Sequence, residues 1–217
     1  MLNFAHIVSH NLRTHAGNIK SLLELNVDGS FTHEETFENI GIVSKELNET
    51  IENLNDLVKV HAQTNKEYES LILRDYIERM LYILVEDVKN KKIYIENNVQ
   101  NEILVNCIPA YLESILLNLV THAIKYSDDS KQDVKIKFDL AETDDHLILE
   151  VSDNGIGIDM DKYSDVIFGL YKTFHNYEDS RGVGLYITKN QIETMGGKIE
   201  VESEPEVGST FKVYFKK

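Results

Sequence analysis

Apolar side chains recur at helical spacing through the first part of the chain. One such set predicts a helix over residues 3–25: Phe4, Ile7, Val8, Leu12, Ile19, Leu22 and Leu23. A turn cluster follows at 26–30. Thr32 and Glu35 then have the spacing of a capping box, which predicts the start of a second helix that runs to about Thr64. The pattern therefore predicts a helical hairpin.

The second predicted helix carries a heptad. Ile40, Leu47 and Leu54 stand seven residues apart, and an adjoining row holds Phe37, Ser44, Ile51 and Val58. One hairpin cannot fully bury such a seam, so we expect two copies to form a dimeric four-helix bundle. The alternative is a hairpin that packs only within its own domain.

Downstream, helical and alternating patterns are mixed. The polar stretch 63–70 predicts a linker, which gives domains at 1–66 and 70–217. Helices are predicted at 74–89, at 109–125 with Pro109 in its first turn, and at 183–195. Strands are predicted at 93–95, 103–105, 134–138 and 147–151, with a closing hairpin at 198–202 and 210–215. This order predicts an α+β fold with helices on one face of a mixed sheet.

Composition narrows the class of protein. A net charge of −15, from 37 acidic and 22 basic residues, argues against nucleic-acid binding. The single cysteine, Cys107, forms no internal disulfide and agrees with a cytoplasmic location. No apolar run approaches the roughly 20 residues of a membrane span, and no signal peptide is recognised before Phe4. We expect the catalytic end of a longer protein.

Two glycine pairs indicate a nucleotide site. Asp153, Gly155 and Gly157 follow a predicted strand, and Gly182 and Gly184 open a predicted helix. Glycine lets a backbone come close to a bound group, and amides at a helix start favour phosphate. The Asp153 carboxylate could accept a hydrogen bond from a purine amine. A single Gly-x-Gly, in contrast, is as often a simple turn.

A histidine in the first predicted helix is the second candidate for chemistry. His10 follows Ser9 and is followed by Asn11, Arg13 and Thr14. A lone helical histidine is usually structural, but here it precedes a heptad hairpin and a nucleotide-type site. An imidazole nitrogen is a competent nucleophile near neutral pH because it is partly unprotonated there.

Together these motifs resemble the sensor histidine kinases of two-component systems, a branch of the GHKL ATPases. Residues 9–14 resemble the H box, 118–127 the N box and 168–174 the F box of the ATP lid. Asp153 to Gly157 resembles the G1 box, Gly182 and Gly184 the G2 box, and Gly208 to Thr210 the last glycine motif. The H box separates the chain from the related chaperones and topoisomerases.

The resemblance implies an activity. His10 would take the γ-phosphoryl group of ATP and pass it to an aspartate on the receiver domain of a response regulator. Asn11, Arg13 and Thr14 belong to the same catalytic motif. Thr14 stands where the family has a polar residue that can position water to dephosphorylate the partner. The stimulus, the cognate regulator and the choice between transfer within or across the dimer stay open.

The resemblance also implies a nucleotide site with ATP and Mg²⁺, or Mn²⁺. Asp153 would bind the adenine amine, Thr210 would lie near the adenine, and Lys172 would contact phosphate. Asn118 and His122 would hold the metal. The full implied set is Asn118, His122, Lys125, Tyr126, Asp153, Gly155, Gly157, Lys172, Gly182, Gly184 and Thr210. We expect the lid, about 159–181 with aromatics Phe168, Tyr171 and Phe174, to become ordered when nucleotide binds.

Three positions depart from the family pattern. Asn11 replaces the usual acidic residue, and His15 replaces the usual proline. His122 replaces the second N-box asparagine, a Mg²⁺ ligand in the family. The metal could keep a water at that place, with a protonated His122 donating to a phosphate. The departures support an alternative function, a weakly active or non-catalytic dimer that binds nucleotide and a regulator and acts as a phosphatase.

Overall fold

The computed structural model describes residues 2–62, 67–169 and 183–217, in two compact units, Met1–Thr64 and Asn65–Lys217. Unit 1 is a hairpin of α1 (Leu2–Val27) and α2 (His33–Ala62). The capping box is confirmed: the Thr32 amide donates to Glu35 Oε2 at 2.9 Å, and the Glu35 amide donates to Thr32 Oγ1 at 3.2 Å. The hairpin predicted from the apolar spacing is therefore present.

The hairpin buries only part of its apolar surface. Val43 is buried, whereas Ile40 and Leu47 of the predicted seam are half-buried. Phe37 is 76% exposed and Ile51 is 41% exposed, both in the adjoining row of α2. Apolar side chains thus line the surface of unit 1 where the heptad predicted a second copy.

Unit 2 carries the rest of the secondary structure. Its helices are α3 (Leu73–Ile83), α4 (Val85–Asn90), α5 (Pro109–Lys125), α6 (Met160–Tyr163) and α7 (Gly184–Thr194). Its strands are β1 (Glu69–Ile72), β2 (Tyr94–Asn97), β3 (Leu104–Cys107), β4 (Lys135–Glu142), β5 (His146–Asp153), β6 (Lys198–Glu204) and β7 (Gly208–Lys216). The main sheet has the order β2-β4-β5-β7-β6, with β2 parallel to β4 and the other pairs antiparallel. The predicted mixed sheet with helices is confirmed.

The structure differs from the pattern at the predicted linker, where β1 and β3 form a separate two-stranded sheet outside the main sheet, and in the first helix of unit 2. The stretch predicted as a linker ends in β1, which pairs with β3 through Leu71 opposite Val105. Four residues, of which only Leu71 is buried, give too short an alternation to be recognised. The helix predicted at 74–89 divides at Leu84, whose backbone leaves helical geometry with ψ 13° while its side chain stays buried.

Strand register determines which side chains share the buried face of the sheet. Leu149 pairs with Val213 and Val151 with Phe211, and all four are buried. Side chains alternate between faces, so the next pair on this face is Asp153 with Ser209. The opposite face carries charged residues such as Lys137, which forms an ion pair with Asp139 at 2.8 Å. The buried face therefore ends in a carboxylate and a hydroxyl.

None of the helices within the described ranges combines the length and apolar content needed to cross a bilayer.

Candidate nucleotide site

Asp153 is a carboxylate held by backbone amides at the end of β5. The Gly155 amide donates to its Oδ1 at 2.9 Å, and the Ser209 amide also donates to it. Burial raises the pKa of Asp153 to about 6, against the lowering effect of these bonds and of the Lys131 charge. An ionised carboxylate has about four acceptor positions, so capacity remains for a ligand amine.

Three glycines let neighbouring backbone close around Asp153. A Cβ on Gly155 would lie 2.2 Å from the Tyr126 carbonyl oxygen, and one on Gly157 1.9 Å from the Glu204 oxygen. A Cβ on Gly208 would lie 2.0 Å from the Asp153 oxygen. These glycines are therefore required by the protein's own backbone, a reason that the sequence pattern did not give. Direct contact of Gly155 and Gly157 with nucleotide stays a prediction.

Gly157→Ala is expected to lower the free energy of unfolding by at least about 2 kcal/mol, because it adds a steric clash to a left-handed backbone at φ +67°. Gly196→Ala is the matched control: its φ is +76°, but the nearest atom to a Cβ is 3.9 Å away on the flexible Lys216 side chain. It should cost only about 1 kcal/mol. Denaturant unfolding measures both, and equal losses would contradict the close packing at Gly157.

Asn118 connects α5 to the first turns of α7. Its Nδ2 donates to the Gly184 carbonyl at 3.5 Å and to Thr188 Oγ1 at 3.3 Å. Gly184 begins α7, where free amides favour an anion. The structure thus brings together two predicted residues that lie 66 positions apart.

The residues predicted to bind metal differ in how well they suit Mg²⁺. With Nδ2 turned toward α7, Asn118 offers its Oδ1 oxygen, the kind of ligand that Mg²⁺ prefers. His122 offers no oxygen, and its ring packs 4.5 Å from that of Tyr126 and 5.3 Å from that of Phe211, centroid to centroid. No cluster of three or more His, Cys, Asp or Glu side chains that could hold a metal occurs among the described residues. Asn118 therefore fits Mg²⁺ and His122 does not.

The hydroxyl beside Asp153 is that of Ser209, not that of Thr210. Thr210 pairs with Ser152, and their hydroxyl oxygens are 2.9 Å apart on the charged face of the sheet. Ser209 is buried on the face of Asp153, with its Oγ 2.9 Å from Ser203 Oγ. The structure thus separates Thr210 from the Asp153 carboxylate. Alternation within β7 places Ser209 and Thr210 on opposite faces, but only the pairing of β7 with β5 shows which hydroxyl lies beside Asp153.

A lysine that the sequence did not indicate also reaches the Asp153 loop. Lys131 Nζ donates to the carbonyl oxygens of Asn154 at 2.7 Å, Gly155 at 3.2 Å and Glu206 at 2.6 Å. A lysine in a polar loop carries no motif, so only the fold shows these contacts.

The other predicted residues lie in several places. His10, Asn11, Arg13 and Thr14 are in α1, with Arg13 and Thr14 exposed. Lys125 Nζ lies 6.0 Å from the Tyr126 ring centroid at the end of α5. Phe168 is half-buried with Lys189 Nζ 5.7 Å from its ring. Tyr171, Lys172, Phe174 and Gly182 lie outside the described residues.

A family model agrees with this architecture. The model described as "Histidine kinase-, DNA gyrase B-, and HSP90-like ATPase" matches residues 107–217. That range includes α5, α7, the main sheet from β4 onward and all the residues around Asp153.

Two of the similar curated proteins are a phytochrome-like protein and a sensor histidine kinase. Phytochrome-like protein Cph1 of Synechocystis is 30% identical over 96% of this chain and 28% of its own length. Sensor histidine kinase WalK of Bacillus subtilis is 27% identical over 94% of this chain and 34% of its own. The chain thus spans about a third or less of these relatives.

Solved structures share the fold. Acinetobacter baumannii histidine kinase AdeS has a TM-score of 0.66 at 23% identity, over 95% of this chain and 97% of that one. The catalytic domain of histidine kinase ThkA has a TM-score of 0.58 at 23% identity, over 70% of this chain and 98% of that one. AdeS matches over both units, and ThkA over a smaller part.

Proposed function

Since the chain belongs to the histidine kinase-, DNA gyrase B- and HSP90-like ATPases and carries a histidine kinase ATP-binding core, we propose that it is an ATP-dependent protein-histidine kinase. It phosphorylates its own His10 and passes the phosphoryl group to an aspartate of a response regulator in two-component signalling. The roles of the units follow: unit 1 carries the phosphoacceptor and unit 2 binds ATP.

The Asp153 carboxylate is the observation that carries the proposal. Two backbone amides fix it at the end of the buried sheet face, and burial makes an unpaired charge there costly. A donor from the ligand offsets that cost, and the exocyclic amine of adenine is such a donor. A fixed acceptor of this kind is better suited to recognising a base than to catalysing a reaction.

The phosphate end of the nucleotide would lie at α7. The amides near Gly184 attract phosphate oxygens, and Asn118 beside them supplies an oxygen for Mg²⁺. A bound Mg²⁺ would neutralise charge on the phosphates, as phosphoryl transfer requires. The chain's own residues bind and orient the nucleotide.

The reaction forms one bond and breaks one. An imidazole nitrogen of His10 attacks the γ-phosphorus, a nitrogen–phosphorus bond forms, and the bond to the β-phosphate oxygen breaks as ADP leaves. The imidazole proton must go to water or another base, because the amide of Asn11 cannot accept it.

Transfer of label from γ-labelled ATP tests the proposal. The native chain should incorporate acid-labile label, and His10→Gln should incorporate none while binding ADP normally, because nucleotide recognition lies in unit 2. Label that persists in the His10→Gln protein would overturn the assignment of the phosphoacceptor.

A second candidate function is a non-catalytic dimer that binds nucleotide and a regulator, with phosphatase activity through the exposed Thr14. The observation that favours it is His122, whose ring packs on Tyr126 and Phe211 in place of an oxygen ligand. If this second function is correct, the native chain incorporates no label from γ-labelled ATP, although calorimetry shows that it binds ADP.

Unit 1 is expected to form a homodimer through its exposed apolar row. Light scattering should show the full chain as a dimer at micromolar concentration, and a fragment of residues 67–217 as a folded monomer. Replacing both Phe37 and Ile51 by glutamate should give monomers, because charge would face charge across the seam. Glu38→Gln, a substitution of a polar residue on the same helix, is the control and should stay dimeric. A monomeric native chain would contradict the prediction.

A further inference from the structure

An ordered turn presents Lys131 after α5. Asp128 Oδ1 accepts hydrogen bonds from the Ser130 amide at 2.9 Å and from Ser130 Oγ at 2.6 Å. The Lys131 amide then donates to the Asp128 carbonyl at 3.0 Å. These bonds close a turn at the start of the loop that leads to β4. The backbone position of Lys131 is therefore fixed by the turn itself, independently of what its side chain contacts.

The Lys131 ammonium is directed at backbone carbonyls. It has three N–H donors and three acceptors, the oxygens of Asn154, Gly155 and Glu206. Ion pairing is the usual role of a surface lysine, but the neighbouring carboxylate of Asp129 pairs with Lys91 at 2.8 Å instead. Bonds from a charged donor are the stronger kind, and these three join two separate backbone segments.

Both segments supply the amides that hold Asp153. The first includes Gly155, whose carbonyl accepts from Lys131 and whose amide donates to Asp153 Oδ1. The second includes Glu206, in the turn that leads through Gly208 to Ser209, the other amide donor. The Lys131 ammonium therefore fixes both backbone segments whose amides hold the Asp153 carboxylate. Its positive charge also favours the ionised form of that carboxylate.

We propose that Lys131 is a positioning residue for nucleotide recognition: its ammonium holds the 154–155 loop and the turn at 206 so that Asp153 presents an ionised acceptor to the adenine amine. Lys131 acts through Asp153 and does not contact the nucleotide. This inference rests on the proposed function, because it assigns a role at the same site.

Lys131→Met removes the donors and the charge while keeping the length of the side chain. The dissociation constants of ADP and ATP, measured by calorimetry at pH 7.5, should both rise at least tenfold and by the same factor, because the change is at the adenine end. Lys91→Met removes a lysine charge that pairs with Asp129, away from the Asp153 loop, and should change neither constant by more than twofold. Lys131→Arg, which keeps charge and donors, should restore most of the affinity.

A pH titration of ADP binding separates positioning from general loss of structure. Asp153 faces the amides of Gly155 and Ser209 and the charge of Lys131. Removing that charge should raise the pH at which binding is half lost, whereas a merely loosened fold would weaken binding equally at every pH. An unchanged midpoint in Lys131→Met would overturn the proposal.

The native chain provides a test that does not depend on how the variant folds. Nitrogen-15 NMR of lysine side chains should show the Lys131 ammonium in slow exchange with water, as three occupied donors require. A Lys131 ammonium in fast exchange with water would overturn the proposed positioning role. So would a folded Lys131→Met protein whose affinity for ADP is within twofold of native. If the native chain binds no ADP, the proposed function itself fails. If the native chain binds ADP but the affinity does not depend on Lys131, only the positioning role fails, so the two failures are distinguishable.

Discussion

Asp153→Asn is expected to weaken ADP binding at least a hundredfold at pH 8. A hydrogen bond to a charged acceptor contributes about 1.5–3 kcal/mol, and a buried donor left facing a donor costs about 1–3 kcal/mol more. The asparagine loses the charge, and its Nδ2 group brings a donor to a site already surrounded by amides. A hundredfold change requires only about 2.7 kcal/mol, which these two effects supply together.

The same substitution is expected to change how stability depends on pH. The pKa of Asp153 is about 6 in the folded chain, above its ordinary value of 3.8. The folded state therefore resists ionisation, so this group lowers the free energy of unfolding as pH rises from about 4 to 6. The loss is fully present above pH 6 and absent below about pH 4. Its upper limit is about 3 kcal/mol, which solvent reduces because Asp153 is only half-buried.

Urea unfolding of both proteins between pH 4 and pH 8 measures this effect. The stability of Asp153→Asn relative to the native chain should increase with pH and reach a plateau above pH 6. Asp145→Asn, in the exposed turn between β4 and β5, removes one charge without burial and is the control. A difference that is constant with pH would mean that the Asp153 carboxylate is not desolvated in the folded chain.

Sequence patterns identified the features that depend on residues close together in the chain. The capping box of Thr32 and Glu35 needs only their spacing, and Pro109 needs only the first turn of a helix. Glycine motifs likewise marked the Asp153 loop. The cap and the proline depend on contacts within a few positions, and the glycines are recognised by their local spacing, although the contacts that require them are distant.

Features that depend on strand register or on distant contacts could not be predicted. Ser209 replaces Thr210 beside Asp153 because of how β7 pairs with β5, and a shift of one residue exchanges the faces. Lys131 reaches Glu206, 75 positions away, through the fold alone. Gly157 is required by Glu204, on a strand whose position relative to the loop no local pattern determines.

His122→Asn is expected to raise Mg²⁺-dependent labelling of His10 at least tenfold. Mg²⁺ requires oxygen ligands in near-octahedral geometry, and the asparagine amide offers one on the same face of α5 as Asn118, one turn away. The imidazole of His122 offers nitrogen, which suits transition metals better. A tenfold gain in rate requires about 1.4 kcal/mol of better transition-state stabilisation, within the reach of one metal ligand.

The gain should be accompanied by a loss of stability. The His122 ring packs against the rings of Tyr126 and Phe211, and aromatic pairs contribute about 0.5–1.5 kcal/mol beyond the area they bury. His122→Leu keeps apolar bulk at this place and adds no oxygen. It should therefore stay near native stability and show no gain in labelling, which separates the effect of the ligand from that of packing.

Three measurements test the role of His122. Labelling rates are compared in Mg²⁺ and in Mn²⁺, where the native chain should perform relatively better because Mn²⁺ accepts nitrogen more readily. Calorimetry of ADP binding with and without Mg²⁺ gives a readout that does not depend on catalysis: Mg²⁺ should strengthen binding more in His122→Asn than in the native chain. Equal labelling rates and an equal effect of Mg²⁺ on affinity in the two proteins would show that His122 is no obstacle to the metal, and the argument for a non-catalytic dimer would then lose its support.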